Sequence, residues 1–167
     1  MVEFRASTVE DIPWILSIWR RAVDATHHFL KPEDLGCIAQ EVEQSLPHIP
    51  MTLAVDPANG LVGFMILEDG HMDALFVDPD HHGSGIGTAL VHYALAQYPR
   101  LETDVNEQNA QALRFYEKLG FQREGRSETD DQGRPYPLIH LKFQGATQVR
   151  QRAKLPAGNA RGRAEAR

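Results

Sequence analysis

A glycine-rich turn has the composition of an anion-binding site. Its residues are His82, Gly83, Ser84, Gly85, Ile86, Gly87 and Thr88. It lies between a predicted strand and a predicted helix, and the first N–H groups of a helix have no acceptor within that helix. These donors and the helix dipole favour a phosphate, and glycines allow the backbone to approach it closely. The turn therefore predicts a pyrophosphate site, with a merely flexible turn as the alternative.

Two familiar phosphate-binding motifs do not fit this turn. A dinucleotide fingerprint requires G-x-G-x-x-G within a β-α-β unit, with an acidic residue further along the chain. Here the turn follows several strands predicted to be antiparallel. A kinase-type P-loop requires Gly-Lys-Ser/Thr, which does not follow these glycines.

His71 and Asp73 lie on the predicted strand just before the turn and could move a proton. On an unbroken strand they would point to the same side as Leu75 and Val77. Histidine has an ordinary pKa of about 6.5, which suits a general base near neutrality. Asp73 could hold His71, act through a water or bind an ammonium group. Two alternatives stay open: both side chains face solvent, or a water chain carries the proton.

Neighbouring histidines raise the question of a metal site. The residues concerned are His27, His28, His71, His81 and His82. Their spacing matches no common arrangement of zinc ligands, so no metal is predicted.

The elements that must position these residues alternate in an α/β (α+β) pattern. Apolar residues Ile12, Ile15, Trp19, Ala22 and Val23 recur on one face of the first predicted helix. Strands are predicted at about 2–6, 51–55, 61–67, 71–78, 101–105, 121–128 and 136–143, and helices at about 8–26, 32–46, 86–97 and 109–119.

Charge is unevenly distributed along the 167 residues, whose formal net charge is −6. Residues 147–167 carry a local charge of +5, and the remainder carries −11. An acidic body disfavours nucleic acid as a partner, because phosphate contacts need a basic surface. It suits a cationic amine, although acidity that serves only solubility explains the same numbers.

The composition indicates a cytoplasmic protein with one folded domain at 1–146 and a basic, flexible tail at 147–167. The single cysteine, Cys37, cannot form an intrachain disulfide, and the first residues lack the apolar core of a signal peptide. The longest apolar run, 61–67, is far shorter than the roughly 20 residues that span a bilayer. No membrane partner is therefore expected.

A second group of residues, Asn106–Phe121, follows the turn closely. It contains Asn109, Ala112, the pair Phe115-Tyr116 and a closing Gly120-Phe121. Together with the preceding Val77-x-Pro79 and the glycine turn, this pattern resembles the GNAT family of N-acetyltransferases over about residues 2–143. Four further segments resemble a small bacterial subgroup of that family. They are 23–27, 71–76, 105–109 and 135–138.

The resemblance implies a mixed, mostly antiparallel sheet of about six to seven strands, splayed at the cofactor site and flanked by about four helices. It also implies that acetyl-CoA binds at the splay and the glycine turn. The residues implied to contact it are Phe76, Val77, His82, Gly83, Ser84, Gly85, Ile86, Gly87, Thr88, Asn109 and Tyr116. His82 departs from the family's usual Arg or Gln, and Ser84 from a frequent basic residue. The first departure puts in doubt the part that side chain plays in ordering the loop.

Acetyl transfer needs a base, a polarised carbonyl, a stabilised oxyanion and an acid for the leaving thiolate. The resemblance implies that Tyr116 is that acid, although its spacing from Ala112 and Leu119 also suits a core residue. It implies an oxyanion donor in the main chain at Phe76 or Val77. It places His71 where many relatives carry a catalytic glutamate.

The acceptor is expected to meet the end of the first helix, at Thr26, His27, His28 and Phe29, with Tyr136 on the other wall. The expected activity is transfer of acetyl from acetyl-CoA to a primary amine of a small molecule or peptide, by a monomer or homodimer. The alternative is a non-catalytic acyl-CoA-binding sensor. A nucleic-acid binder is disfavoured because the tail lacks interleaved aromatic residues.

Overall fold

The computed structural model describes residues 1–145, which contain seven β-strands and four α-helices. The strands are β1 (Glu3–Ala6), β2 (Thr52–Asp56), β3 (Gly60–Glu68), β4 (His71–Val77), β5 (Glu102–Asn106), β6 (Phe121–Ser127) and β7 (Leu138–Phe143). The helices are α1 (Ile12–Thr26), α2 (Pro32–Ser45), α3 (Ile86–Gln97) and α4 (Ala110–Leu119). These numbers confirm the predicted element count. The tail predicted at 147–167 lies outside the described residues.

The chain groups into two compact units, Met1–Tyr98 and a second that begins at Pro99. In the first unit β1, β2, β3 and β4 pair in chain order, each antiparallel to the next. Because antiparallel partners lie on the same face, one row runs from Leu53 through Phe64 to Phe76.

Helix α1 packs on the face of the sheet that carries this row. Ile15, Trp19, Ala22 and Val23 are buried as predicted, and Ile18 is buried with them. Their spacing of three and four residues gives the helix one apolar side, which buries against Leu53 and Phe64. Within the described residues, none of the helices has the length and apolar character needed to cross a membrane.

A bulge in β4 changes which way its first residues point. Leu67 pairs with Met72 and Ile66 with Ala74, so Asp73 is an extra residue without a partner in the ladder. His71 pairs with Glu68. It therefore shares the α1 face of the sheet with Ala74, and the prediction that it shares a face with Leu75 and Val77 is wrong.

The second unit is built from β5, β7 and β6, paired antiparallel in that order. Helix α4 begins where the Asn109 side chain accepts a hydrogen bond from the Ala112 N–H at 3.1 Å. It ends at Gly120, whose φ of 114° is readily adopted only by glycine. Leu113 and Tyr116 form its buried side.

An ion pair within the first unit joins α1 to the end of β4. Both terminal nitrogens of the Arg21 guanidinium donate to the Asp78 carboxylate, at 2.6 and 2.9 Å. Asp78 is 8% exposed, and it also accepts from the Asp80 N–H at 3.0 Å. The hydrogen bonds from Arg21 hold the pKa of this carboxyl below its ordinary value, although burial opposes that shift.

Asp78→Asn should therefore lower stability in a pH-dependent way, because it keeps an acceptor for the Asp80 N–H but removes the charge. A lowered folded-state pKa stabilises above the ordinary carboxyl value of about 3.9, and this contribution disappears as pH falls through the folded value. We expect a loss of about 1 kcal/mol at pH 7, since Arg21 is partly exposed, shrinking toward zero in acid. Urea unfolding at several pH values measures it.

Asp24→Asn is the matched control, because Asp24 pairs with Arg20 on the exposed side of the same helix at 3.2 Å. Its effect should stay within about 0.5 kcal/mol. Equal effects of the two substitutions would show that Asp78 contributes no more than a surface charge.

Candidate active site

The glycine turn leaves the end of β4 in a shape suited to an anion. Gly83 and Gly85 have φ values of 81° and 87°, and a Cβ built on either would meet no atom within 4 Å. Gly85 is the residue from which α3 begins, so open space lies in front of the free N–H groups of the helix. Backbone donors facing open space fit the pyrophosphate of CoA.

Three polar side chains lie in or next to the turn, and two of them make hydrogen bonds that hold it. His82 donates from Nε2 to the Val77 carbonyl at 3.1 Å, so it ties the turn back to β4 although it replaces the usual Arg or Gln. Ser84 donates its hydroxyl to the His81 carbonyl. The Nδ1 atom of His81 is buried, and no partner for it occurs among residues 1–145. A buried ring nitrogen without a partner in the protein normally forms a hydrogen bond with a ligand or a water, which fits a bound cofactor.

The direction of the main-chain N–H groups at the end of β4 distinguishes the two candidate oxyanion donors, Phe76 and Val77. The Asp78 N–H donates to the Val62 carbonyl of β3 at 2.8 Å. Since successive N–H groups of a strand point to opposite edges, the Phe76 N–H also points to β3 and the Val77 N–H points away from it. The geometry therefore favours Val77 as the donor.

His71 and Asp73 are brought together at the other end of β4. The His71 Nδ1 atom lies 2.5 Å from the Asp73 Oδ1 atom, and both side chains are partly exposed. The carboxylate accepts the Nδ1 proton, which leaves Nε2 as the basic nitrogen when the ring is neutral. The contact is made across the bulge, at the one residue of β4 that has no partner in the ladder with β3.

The end of α1 gathers three of the four residues expected to meet the acceptor. The His27 ring lies 5.3 Å from that of Phe29 and 6.5 Å from that of Phe76, and its Nδ1 atom lies 2.7 Å from the Thr26 hydroxyl. Burial lowers the pKa of His27, and the charge of His28 adds to the shift. His28 itself is exposed and contacts the Ala25 carbonyl at 2.9 Å.

Tyr116, in the second unit, is a core residue with one polar contact. It is 6% exposed, and its ring packs edge-on against Phe115 and Phe121 at 5.0 and 5.3 Å. Burial raises the pKa of Tyr116 well above its ordinary value, and a hydrogen bond with Thr103 offsets part of the shift. The phenol therefore keeps its proton near neutrality, as a general acid must.

Asn109 and Tyr136, the two other predicted site residues of the second unit, lie at the ends of elements. Asn109 uses its side chain to cap α4. Tyr136 lies before β7, not within the strand predicted there, and is 4% exposed. Its backbone N–H donates to the Arg134 carbonyl at 2.7 Å.

Sequence reasoning missed two polar networks because their members are far apart in the chain. One is the Arg21–Asp78 pair. The other joins three strands of the second unit: His140 contacts Asp104 through Nδ1 and Ser127 through Nε2, each at 2.6 Å. Among the described residues, no group of three or more His, Cys, Asp or Glu side chains could hold a metal ion.

Comparison with known sequences places this site among acyl-transferring enzymes. The acetyltransferase (GNAT) domain family matches residues 49–123. The peptidyl-lysine N-acetyltransferase YjaB of Escherichia coli is 48% identical over 87% of this chain and 99% of its own length. YjaB of Salmonella typhimurium is 50% identical over 86% of this chain and 99% of its own length.

Solved structures agree in fold. The solution structure of apo-form YjaB from Escherichia coli has a TM-score of 0.84 at 48% identity, covering 87% of this chain and 99% of that one. The PaiA N-acetyltransferase of Thermoplasma acidophilum in complex with coenzyme A has a TM-score of 0.70 at 19% identity, covering 86% and 98%. These findings confirm the predicted fold class and the resemblance to the subgroup.

Gly85→Val should abolish acetyl-CoA binding, measured by calorimetry. A β-branched side chain would occupy the open space in front of α3 and is strained at positive φ. His82→Ala should weaken binding by less than about tenfold, roughly the worth of one hydrogen bond. Gly60→Val is the matched control, because Gly60 has a φ of 77° and equally open surroundings in the β2–β3 turn. A folded Gly85→Val protein with undiminished affinity would contradict the assignment.

Tyr116→Phe should lower kcat by roughly 10²-fold or more, the low end of what a positioned acid contributes. The ring and its packing are kept, so acetyl-CoA affinity should be nearly unchanged. Tyr93→Phe, at an exposed tyrosine of α3, should leave kcat as it is. A normal kcat in the Tyr116 variant would make this residue a packing residue only.

Proposed function

The chain belongs to the GNAT family of acetyltransferases, and from that premise we propose that it acetylates the side-chain amine of lysine in a peptide or protein. Acetyl-CoA is the acetyl donor. The observation that carries the proposal is 48–50% identity to two peptidyl-lysine N-acetyltransferases over 99% of their length. The acidic balance of residues 1–146 supports it, because long-range attraction favours a cationic acceptor.

The relatives support an enzyme and not the alternative of a non-catalytic acyl-CoA sensor. A sensor would need no proton donor or acceptor. This chain retains a protonated phenol at Tyr116 and the hydrogen-bonded pair His71–Asp73. Both groups suit transfer chemistry.

The transfer requires one bond to form and one to break. The amine nitrogen attacks the thioester carbonyl carbon, and the tetrahedral intermediate collapses with loss of the CoA thiolate. The lysine ammonium loses one proton before attack, which exposes its lone pair, and a second as the amide forms. One of the two reaches the thiolate, so the products are an N-acetyl-lysine, free CoA and one released proton. The protein must place a proton acceptor, an oxyanion donor and a proton donor.

The oxyanion is assigned to the main chain at Val77. Its N–H points away from β3, and the hydrogen bonds of the Asp78 N–H to β3 and of His82 to the Val77 carbonyl hold the peptide unit that follows it. A donor fixed in this way needs no reorganisation when charge develops on the carbonyl oxygen.

The proton acceptor is assigned to His71, with Asp73 as its partner. The 2.5 Å contact between Nδ1 and the carboxylate fixes the orientation of the ring. His71 is five residues before Phe76, roughly 16 Å along the strand at about 3.3 Å per residue. We therefore expect the proton to reach it through water.

Tyr116 is assigned as the acid that protonates the leaving thiolate. The assignment rests on the family pattern around Phe115-Tyr116; burial keeps the phenol protonated until the thiolate departs. The Thr103 hydrogen bond and the edge-on rings fix the phenol in one orientation.

The proposal is tested with a peptide whose α-amine is blocked by acetylation and which carries one lysine. Acetyl-CoA should release free thiol in its presence, and mass spectrometry should place the new acetyl group on the lysine Nζ atom. The matched control is the same peptide with arginine in place of lysine. Thiol release with a free polyamine or an α-amine, but none with the blocked lysine peptide, would contradict lysine as the acceptor.

A further inference from the structure

His27 lies in a row of aromatic rings at the point where α1 ends. The imidazole lies 5.3 Å from the Phe29 ring and 6.5 Å from the Phe76 ring, measured between ring centroids. The Phe76 ring packs in turn on the buried Phe64 at 5.5 Å. The imidazole is thus near Phe76, the residue before Val77 in β4, whereas His71 lies at the start of that strand.

Hydrogen-bond accounting determines which nitrogen of His27 carries the proton. The Thr26 hydroxyl has one proton, and it donates that proton to the Ala22 carbonyl at 2.7 Å. The contact between Thr26 Oγ1 and His27 Nδ1 must therefore be donated by the ring. A neutral imidazole has a single N–H, so Nε2 carries the lone pair.

We propose that His27 is a specificity residue for the acceptor: its Nε2 atom accepts an N–H of the lysine amine, while Phe29 and Phe76 contact the methylenes of the lysine side chain. This inference rests on the proposed function and adds the group that recognises the amine. Two aromatic rings, those of Phe29 and Phe76, near the lone pair on His27 Nε2 suit a long apolar side chain with a terminal N–H donor. Burial lowers the pKa of His27, which agrees with a neutral ring.

Steady-state kinetics with the blocked lysine peptide test the assignment. His27→Phe keeps an aromatic ring but removes the lone pair, and should raise the peptide KM about tenfold or more while the acetyl-CoA KM stays within about twofold. His27→Gln, whose amide oxygen can reach the position of Nε2, should recover most of the loss. His92→Phe, at an exposed histidine of α3, should match the unmodified protein.

Two further variants separate recognition from proton transfer and from folding. His71→Ala should lower kcat with little change in the peptide KM, the opposite split. Thr26→Val keeps the side-chain shape but removes the acceptor for Nδ1, so it should raise the peptide KM several-fold. Circular dichroism of each variant checks the fold.

The proton position is measured independently of activity by NMR of the histidine ring nitrogens. The His27 ring should carry its proton on Nδ1. A proton on Nε2, or an unchanged peptide KM in a folded His27→Phe protein, would overturn the inference. If the peptide is not a substrate, the proposed function fails, and the same variants are compared with whichever amine releases thiol.

Discussion

The ion pair between Arg21 and Asp78 fixes two pieces of backbone that the chemistry requires. Arg21 is on α1 and Asp78 follows β4 directly, 57 residues later. The bidentate geometry sets distance and orientation together, which a single lysine contact would not. Because Asp78 also accepts from the Asp80 N–H, the same carboxylate shapes the start of the glycine turn.

One consequence is that the ion pair fixes the glycine turn and the end of α1 relative to each other. The turn begins at Asp78, and α1 continues only five residues beyond Arg21 before ending at Thr26. A shift of α1 would move the His27 ring relative to Phe76 and Val77. The apolar side of α1, with Ile15, limits such a shift by packing on the sheet.

Much of the fold follows from local patterns in the sequence. The apolar face of α1 predicted its burial, and Asn109 and Gly120 predicted the ends of α4. The glycines predicted the turn that precedes α3, and Gly83 and Gly85 have positive φ there. Each of these signals is contained in a few neighbouring residues.

What could not be predicted depends on distant partners or on a single extra residue. The bulge at Asp73 turns His71 to the opposite face of the sheet, and no residue type in this strand predicts a bulge. In the sequence Arg21 is one of several charged residues on α1, and nothing identifies Asp78, which lies 57 residues later, as its partner. The proton on His27 Nδ1 depends on where the Thr26 hydroxyl points. Tyr136 was predicted to begin the last strand, whereas β7 begins at Leu138.

Binding of CoA by the backbone of the glycine turn is tested most directly by an amide chemical-shift titration with CoA, because each N–H reports its own environment. The largest shifts at saturation should fall on amides 83–88 and on Val77. Saturable binding that leaves those amides unshifted, with the largest changes elsewhere in the chain, would contradict it.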